Sequence, residues 1–507
     1  MMKKMAQGPR CGRDISPLLA SFLLLLLMAL PVDLAAQTPA ACQTTYTTPT
    51  LILDCSHFSD VLGSSQPEQR FFRVFLPPDY NQATDAQGNP RLYPVLYFFH
   101  GWAERYNRTS SEVGNYDTGD SRYGTDTLAN YVGTHMNLIV VKWDGVNPGA
   151  KDSLRPYNIG PVETHRQFPL YYPELVRHID STFRTIANRE HRGISGVSMG
   201  GFMSFWVSGK YPHLVGSASS FMPSPEFFAG PLAFPTEYLH IPMHRNYEGL
   251  YTRLITGSAD FIRWYHRHIN ATWDFARKDP ARTVHEVEDF PSSHGTPGIA
   301  KTLDFHMNAF SDPLPKPAVW HHADIYPDFD IWGYSVSSNR QRPGFTVLEN
   351  VSFTGFRSSV REWLPDGKLL PSVTLAITTD AAYDPGRNYQ ITVINLETGT
   401  LSDQYERQAA ADGRITLKPL SGDRLEVGIH PAAAPTFIVT VTGWRLSEGT
   451  LPTNDGTELR LKLKFLNKGT QPATGLTAQV TSPNSEVRIV QGSLGVPSLE
   501  SGQAAEA

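Results

Sequence analysis

The chain has 507 residues, and because single hydrophobic cores stop growing at roughly 250–300 residues, at least two domains are expected. It is 40% hydrophobic and 18% charged, a composition typical of globular proteins and unlike that of disordered chains. The formal net charge of -5 gives the whole chain no attraction for nucleic acid or an anionic membrane, so neither is expected as a partner.

The N-terminus has the order of a secretory signal. Basic residues precede an apolar run from Leu18 to Leu30, and small residues follow at Ala35 and Ala36. We therefore predict that residues 1–36 are a cleaved signal peptide and that the mature protein is secreted or periplasmic, without a membrane span. The alternative is an uncleaved anchor, for which the run is short of the ~20 residues that span a bilayer.

Cleavage would remove Cys11 and leave Cys42 and Cys55, both in an N-terminal extension at 37–68. An even number of cysteines in an oxidising compartment predicts a disulfide between these two. Two free thiols are the alternative.

Residues 69–312 alternate β-rich apolar runs with amphipathic stretches, which predicts a mostly parallel sheet with helices on both faces. Several of the runs are nearly continuous apolar sequence, as strands buried on both faces require. The predicted strands are Arg70–Leu76, Val95–Phe99, Leu138–Trp143, Gly193–Val197, Leu214–Phe221, Arg253–Thr256 and Thr283–Phe290. The predicted helices are Tyr172–Ile186, Gly200–Lys210, Phe261–Lys278 and Gly298–Phe310.

A proline-rich stretch at 311–317 cannot continue a helix and is interpreted as a linker. Beyond it, short alternating strands without helical periodicity predict an antiparallel β-sandwich over 318–450. A third β-rich segment, 451–507, begins with a turn-rich break at Pro452–Gly456, which precedes predicted strands at Leu459–Asn467 and Thr477–Ile489. That segment has too few strands for a stable sandwich, so we expect the chain to stop inside a third domain.

The segment Gly196–Gly200 matches G-x-S-x-G between a predicted strand and a predicted helix. A sharp strand–turn–helix junction exposes a serine hydroxyl, and the flanking glycines, Gly196 and Gly200, let strand and helix approach closely. This context predicts Ser198 as a nucleophile.

The remaining parts of a serine hydrolase site follow in the required order, serine, acid, histidine. Asp260 and His294 each come directly after a predicted strand, so we expect His294 to act as general base and Asp260 to orient it. The backbone N–H groups of Trp102, after the strand that ends in His100-Gly101, and of Met199 are predicted to form the oxyanion hole. His100 itself is expected to be structural.

Alternatives exist for the acid and the base. Asp260 could instead cap the helix predicted at Phe261, and Glu288 or Asp289 could supply the acid. His285 is predicted on a strand and His306 within a helix, whereas His294 lies in a loop with small neighbours.

These residues resemble the esterase D-like group of α/β-hydrolases, which includes feruloyl and acetyl-xylan esterases. The resemblance covers about residues 70–310. It rests on Tyr97–Gly101, Glu174–Ala187 with Arg192, Gly196–Gly201, Gly257–Phe261 and Ser293-His294. It implies an α/β-hydrolase fold and a serine esterase. The sequence has no P-loop, dinucleotide fingerprint, H-E-x-x-H or paired C-x-x-C motif, so no metal or other cofactor is expected. The family's acidic residue and tryptophan after the histidine are replaced here by Gly295–Gly298.

We expect hydrolysis of a carboxylic ester, either a small molecule or one linked to a polysaccharide, such as an acylated carbohydrate or a hydroxycinnamate ester. Acyl transfer, peptide cleavage and a non-catalytic carbohydrate-binding or adhesion role are the alternatives. The segment between residues 221 and 253 is either a lid over the serine, formed by residues such as Phe227, Phe228 and Phe234, or a packed surface loop. An aromatic platform for a sugar or phenolic group is predicted from Trp102, Tyr106, Trp143 and Trp264, with buried packing as the alternative for each.

Overall fold

The computed structural model describes residues 41–59, 68–145, 163–224, 228–231, 233–234, 236–237, 241–263, 284–433, 437–449, 458–482 and 487–507. All of them belong to one compact unit, Ala41–Ala507. The predicted signal peptide, the greater part of the helix predicted at Phe261–Lys278 and the turn at Pro452–Gly456 lie outside the described residues.

The first half of the chain forms a nine-stranded sheet in the order β1-β2-β3-β5-β4-β6-β7-β10-β11. Its strands are β1 (Cys42–Tyr46), β2 (Leu51–Ser59), β3 (Glu68–Leu76), β4 (Val95–Phe99), β5 (Ile139–Trp143), β6 (Arg192–Gly196), β7 (Ser217–Phe221), β10 (Tyr251–Gly257) and β11 (Val284–Phe290). From β5 through β4 to β11 all neighbours are parallel, whereas β1, β2 and β3 pair antiparallel at one edge. A short hairpin, β8 (Phe228–Ala229) and β9 (Thr236–Glu237), follows β7.

Within the described residues, four α-helices accompany this sheet: α1 (Leu128–His135), α2 (Glu163–Thr182), α3 (Met199–Lys210) and α4 (Ile299–Ser311). Two 3-10 helices lie at Arg189–His191 and Ile241–Tyr247. Successive side chains of a strand point to opposite faces, so Tyr97 and Phe99 enter the core that contains α2 and α3, and Phe98 enters the core that contains α1 and α4. Because both faces are covered, all of β4 and β5 is buried.

This topology is the α/β-hydrolase fold, and it confirms the predicted fold class. All seven predicted strands are present, with ends that shift by up to three residues. Helix α2 begins before the predicted Tyr172 and ends earlier, at Thr182. Strands β1 and β2 and helix α1 were not predicted. The Cys42–Cys55 disulfide is present and joins β1 to β2 at paired positions.

Strands after residue 317 pair only antiparallel. A six-stranded sheet, β12-β15-β16-β21-β18-β19, and a four-stranded sheet, β13-β14-β17-β20, enclose one apolar core. The strands are β12 (Trp320–Asp324), β13 (Phe329–Ile331), β14 (Tyr334–Ser338), β15 (Phe345–Ser352), β16 (Gly355–Arg361), β17 (Thr374–Thr378), β18 (Asn388–Asn395), β19 (Thr400–Gln408), β20 (Leu420–Ser421) and β21 (Leu425–Pro431). These two sheets form the predicted β-sandwich architecture.

The last strands form two small sheets around Phe465, Ala473 and Leu499. They are β22 (Val439–Glu448), β23 (Arg460–Asn467) and β26 (Ala504–Glu506) in one sheet, and β24 (Thr477–Gln479) and β25 (Ser493–Gly495) in the other. We refer to them as the C-terminal module. No helix within the described ranges is long and apolar enough to cross a bilayer.

The β-sandwich packs directly on the α/β-hydrolase half. Ala323 and Ile325 lie in the same apolar core as α3. Lys210, the last residue of α3, is buried, and its Nζ lies 2.5 Å from Asp324 Oδ2. Two hydrogen bonds of 2.9 Å join the Asn246 side chain to the backbone of Ala323. Apolar and charged contacts together therefore fix the sandwich against the helix that begins next to Ser198.

Candidate active site

Ser198 occupies the sharp turn between β6 and α3. Its backbone has φ 57° and ψ -118°, in the left-handed region that a serine rarely adopts. The turn is held by hydrogen bonds from Ser198 N to Phe221 O (2.8 Å), and to Ser198 O from Phe202 N and Ser224 N (both 3.0 Å). The surrounding strand ends thus compensate for the unfavourable backbone conformation.

The flanking glycines are required by close backbone contacts. A Cβ atom at Gly196 would overlap the carbonyl of Gly200. A Cβ atom at Gly200 would overlap the carbonyl of Phe99 and lie 2.6 Å from that of His100. Strand β4 and helix α3 therefore touch with only hydrogen atoms between them, which places the start of α3 beside the loop that follows β4.

Asp260 and His294 meet after β10 and β11. His294 Nδ1 lies 3.1 Å from both carboxylate oxygens of Asp260, and both residues are buried. Asp260 Oδ1 also accepts a hydrogen bond from Ile262 N (3.0 Å). The carboxylate thus contacts the imidazole and also accepts a hydrogen bond from a backbone donor of the turn that follows it.

Met222 connects the serine turn with the histidine loop. It follows Phe221, whose carbonyl binds Ser198 N, and its Sδ accepts a hydrogen bond from Gly295 N (3.2 Å). Ser198 and His294 therefore lie on loops that contact the same residue at the carboxyl edge of the sheet. No hydrogen bond joins the Ser198 hydroxyl to His294 among the contacts of the described residues, so this step of the triad stays a prediction.

The loop after β4 brings a second group of atoms to this edge. Neither Trp102 N nor Met199 N has a hydrogen-bond partner among the residues that the structure describes. The fully buried imidazole of His100 accepts from Gly145 N (2.9 Å) through Nε2 and donates through Nδ1 to Gly101 O (2.8 Å). This pair of bonds fixes the tautomer of His100 and the direction of the peptide that precedes Trp102 N.

Glu104 is a buried acid in the same loop that sequence reasoning missed. One carboxylate oxygen accepts from Gly101 N (2.6 Å) and Tyr116 Oη (2.8 Å), and the other accepts from Ser110 N (2.8 Å). The residue is 0% exposed to solvent. A lone glutamate in a polar loop gives no signal of such burial, because its partners come from distant turns.

A buried ion pair lies behind this loop. Arg105 binds both carboxylate oxygens of Asp144, and His100 Nε2 lies 3.4 Å from Asp144 Oδ1. Burial raises the pKa of Asp144, but the hydrogen bonds and positive charge of Arg105 outweigh it, so the pKa is below its usual value. Asp144 is therefore a charged anchor for the loop at neutral pH.

The alternative candidates for the acid and the base have other hydrogen-bond partners. Glu288 binds Arg253 and Lys301, and Asp289 accepts from Thr256 Oγ1 (2.8 Å). His285 binds Thr252 Oγ1 (2.9 Å).

His306 is fully buried between the hydroxyls of Ser217 (2.7 Å) and Ser219 (2.8 Å). Burial lowers its pKa to about 3. Of the candidate acids, Asp260 is the one in contact with His294.

The predicted aromatic platform is only partly available. Trp143 is buried against Phe99, with ring centroids 3.9 Å apart, so it belongs to the core. Trp102 is 41% exposed, and Tyr106 stacks on Phe71 at 5.7 Å. Tyr106 and Phe71, but not Trp102, line a cavity of about 310 Å³ together with Arg105, Asn107 and Arg108. Trp264 and Phe227 lie outside the described residues.

Phe234, from the predicted lid segment, packs under the guanidinium of Arg340 from the β-sandwich. Gly344 N, also from the sandwich, donates to Thr236 Oγ1 (3.4 Å). This end of the segment is thus packed against the sandwich. Within the described ranges, no cluster of three or more His, Cys, Asp or Glu side chains could hold a metal ion.

The chain is similar in sequence to known esterases. A family described as "Putative esterase" matches residues 64–288, a range that contains Ser198 and Asp260 and ends six residues before His294. An endo-1,4-beta-xylanase/feruloyl esterase of Xylanibacter ruminicola is 28% identical over 155 residues, which are 30% of this chain and 20% of that protein. Esterase Rv1288 of Mycobacterium tuberculosis is 31% identical over 148 residues, 29% of this chain and 27% of its own length.

The chain thus spans about a quarter or less of the length of these curated relatives. Among solved structures, a ferulic acid esterase is 18% identical, with a TM-score of 0.36, over 52% of this chain and 98% of its own. A ferulic acid esterase from Anaeromyces mucronatus in complex with ferulic acid is 17% identical, with a TM-score of 0.37. The match covers 53% of this chain and 91% of that esterase. Residues 64–288 of this chain match this esterase family, and the fold that contains them is of the α/β-hydrolase type.

Proposed function

We propose that this protein is a serine carboxylic-ester hydrolase with Ser198 as nucleophile, His294 as general base and Asp260 as the acid that orients it. The observation that carries the proposal is the contact of His294 Nδ1 with both oxygens of Asp260, on a loop that shares Met222 with the strained Ser198 turn. An acid bound at Nδ1 leaves Nε2 to act as the base.

The reaction would proceed in two steps. Ser198 Oγ attacks the ester carbonyl carbon while His294 Nε2 takes the hydroxyl proton, and Asp260 stabilises the resulting imidazolium. The oxyanion would accept hydrogen bonds from Met199 N and Trp102 N, each typically worth about 2.7–4 kcal/mol in the transition state. Collapse transfers the proton to the departing alcohol and leaves an acyl-enzyme. Water, deprotonated by His294, then releases the acid and regenerates the serine.

We propose esters of acylated carbohydrates or of hydroxycinnamic acids as the substrate class. A relative that is named endo-1,4-beta-xylanase/feruloyl esterase supports this choice. The cavity beside the loop after β4 adds support, because Phe71 and Tyr106 offer apolar surface and Asn107 offers hydrogen-bonding groups. Export through the N-terminal signal would bring the enzyme to extracellular or periplasmic substrates.

Replacing Ser198 by alanine tests the nucleophile. Hydrolysis of a short-chain nitrophenyl ester should fall by about 10⁴-fold or more, because the covalent route is lost. A serine-reactive phosphonate should label the wild-type peptide that contains Ser198, as read by mass spectrometry. The matched control is Ser224→Ala, which removes a buried hydroxyl close to the same turn and should keep activity within about tenfold. A Ser198→Ala protein that retains activity would refute the assignment.

A further inference from the structure

A groove between the β-sandwich and the C-terminal module carries an excess of positive charge. It encloses about 170 Å³. Six of its lining residues define what we call the basic groove: Arg424, Trp444, Arg445, Lys462, Lys464 and Glu506. Four of them are cationic and one is anionic. The groove is therefore locally positive, although the net charge of the whole chain is -5.

Strand register explains why the cations converge. Lys462 and Lys464 are two residues apart on β23, so their side chains point to the same face. Arg445 pairs opposite Lys462, and Gly443 pairs opposite Lys464. A Cβ atom at Gly443 would have no neighbour within 4 Å, so the space above Lys464 is open. Arg424 approaches from the sandwich, and its Nη2 lies 3.4 Å from Thr442 O.

The one carboxylate of the groove is already engaged. Glu506 binds Arg445 through Nη2 at 2.8 Å, and this hydrogen bond, aided by the charges of Arg445 and of Lys462, lowers the pKa of Glu506. Arg424, Lys462 and Lys464 form no ion pair in the described part of the chain. Burial and the charge of neighbouring Arg357 lower the pKa of Arg424, as expected for a cation that lacks a close counter-charge.

The walls of the groove are fixed relative to each other. Glu426 of the sandwich is fully buried and binds Arg357 Nε (3.1 Å) and Lys468 Nζ (2.9 Å). Arg357 also donates to Val441 O of the C-terminal module (3.2 Å). Because these buried bonds span the junction, the basic groove is preformed, and a ligand would not have to order it.

We propose that the basic groove binds a uronic acid residue of an acidic polysaccharide. Its carboxylate would bind Arg424, Lys462 and Lys464, and the sugar ring would occupy the open space that Gly443 leaves above Lys464. Charge-assisted hydrogen bonds from a guanidinium and two ammonium groups suit a carboxylate. The cavity is smaller than the ~300 Å³ lower limit typical of drug-sized ligands, which fits a single sugar ring. The choice of a polysaccharide over other anions rests on the proposed esterase function.

Binding of the full chain to polygalacturonate, measured by affinity gel electrophoresis and calorimetry, tests the proposal. Lys462→Gln with Lys464→Gln should weaken binding about tenfold or more, equivalent to about 1.4 kcal/mol. Gly443→Val, which fills the space above Lys464, should weaken binding to a similar degree. Raising NaCl from about 0.05 to about 0.5 M should also weaken it, because exposed charges are screened. Neutral arabinoxylan should bind much less well than polygalacturonate.

The matched control is Lys368→Gln with Lys418→Gln, two sandwich lysines that do not line the groove. Equal losses in both double variants, or an unchanged affinity in Lys462→Gln with Lys464→Gln, would overturn the proposal. So would binding to single-stranded DNA that matches polygalacturonate and is insensitive to Gly443→Val, since that is general polyanion attraction. Nitrophenyl ester hydrolysis by the same variants should stay at the wild-type rate, so a failure of binding and a failure of the esterase proposal are distinguishable.

Discussion

Glu104→Gln tests whether the loop after β4 supplies an oxyanion donor. The carboxylate holds Gly101 N, Ser110 N and Tyr116 Oη, and the bond to Gly101 N lies one peptide away from Trp102 N. An amide has one acceptor oxygen, so its NH₂ group must face at least one of these donors. Each charge-assisted bond of this kind contributes about 1.5–3 kcal/mol, and a neutral one about half of that.

The expected loss of stability is therefore about 3–6 kcal/mol, from one bond that is lost and two that are weakened. If the peptide between residues 101 and 102 turns away, the transition state loses one donor, which corresponds to about a 10²–10³-fold fall in kcat. KM should change by less than about threefold, because the ground-state carbonyl gains little from this donor. Affinity for a boronic acid that mimics the tetrahedral intermediate should fall in parallel with kcat.

Steady-state kinetics on a nitrophenyl ester, with circular dichroism to confirm folding, give both readouts. Tyr116→Phe removes one neutral donor from the same carboxylate and is the matched control, expected to lower kcat by less than tenfold, or about 1.4 kcal/mol. A folded Glu104→Gln protein with wild-type kcat would show that Glu104 only stabilises the loop, and the assignment of Trp102 N would be wrong.

Three further outcomes are expected. Asp260→Asn should lower kcat by about 10⁴-fold with little change in folding, because an amide favours the wrong tautomer of His294. Gly200→Ala should lower the unfolding free energy by at least about 3 kcal/mol, seen as a lower Tm, because the new methyl group meets the Phe99 carbonyl. For His306, burial keeps the folded-state pKa near 3, so the unfolded state binds more protons between about pH 6.5 and that value, and stability falls as pH falls. From pH 7 to pH 5 this one group should cost about 2 kcal/mol, and His306→Gln should show a shallower decline of Tm.

Each of these has a control or a contrary result. Asp289→Asn should keep most activity. A large loss of activity in Asp289→Asn, with no loss in Asp260→Asn, would show that Asp289 is the acid that orients His294. Gly495→Ala places a methyl group in open space and should leave Tm nearly unchanged. An identical pH dependence of Tm in wild type and His306→Gln would contradict the role given to burial of the imidazole.

Local pattern was enough to predict most of the α/β-hydrolase half. Strands β4 and β5 are continuous apolar runs, so burial on both faces could be read directly from their residues. Strand β1 was missed because its residues, Cys42–Tyr46, are mostly polar and exposed, and its position depends on pairing with β2. Helix α1 is only eight residues long, although Thr127, whose side chain accepts from Asn130 N, was an available N-cap signal.

In the candidate site, too, some residues could be predicted from local sequence pattern and others could not. Ser198, Asp260 and His294 follow strand ends, and because a parallel sheet gathers such ends at one edge, the sequence could place them together. The roles of Glu104 and of the pair formed by Arg105 and Asp144 could not be predicted from the sequence. Their roles come from burial by other loops, and a charged residue in a polar loop is ordinarily exposed. Tertiary contacts, not local propensity, decide these positions.

The ion pair between Lys210 and Asp324 limits how this protein can be shortened. A truncation inside 312–317 would leave the ammonium group at the end of α3 without its carboxylate, and breaking such a pair typically costs about 3–5 kcal/mol. It would also uncover the apolar surface that Ile325 now covers. An engineered catalytic fragment would therefore need a replacement for Lys210, such as methionine, and polar substitutions on the uncovered face before it could be expressed alone.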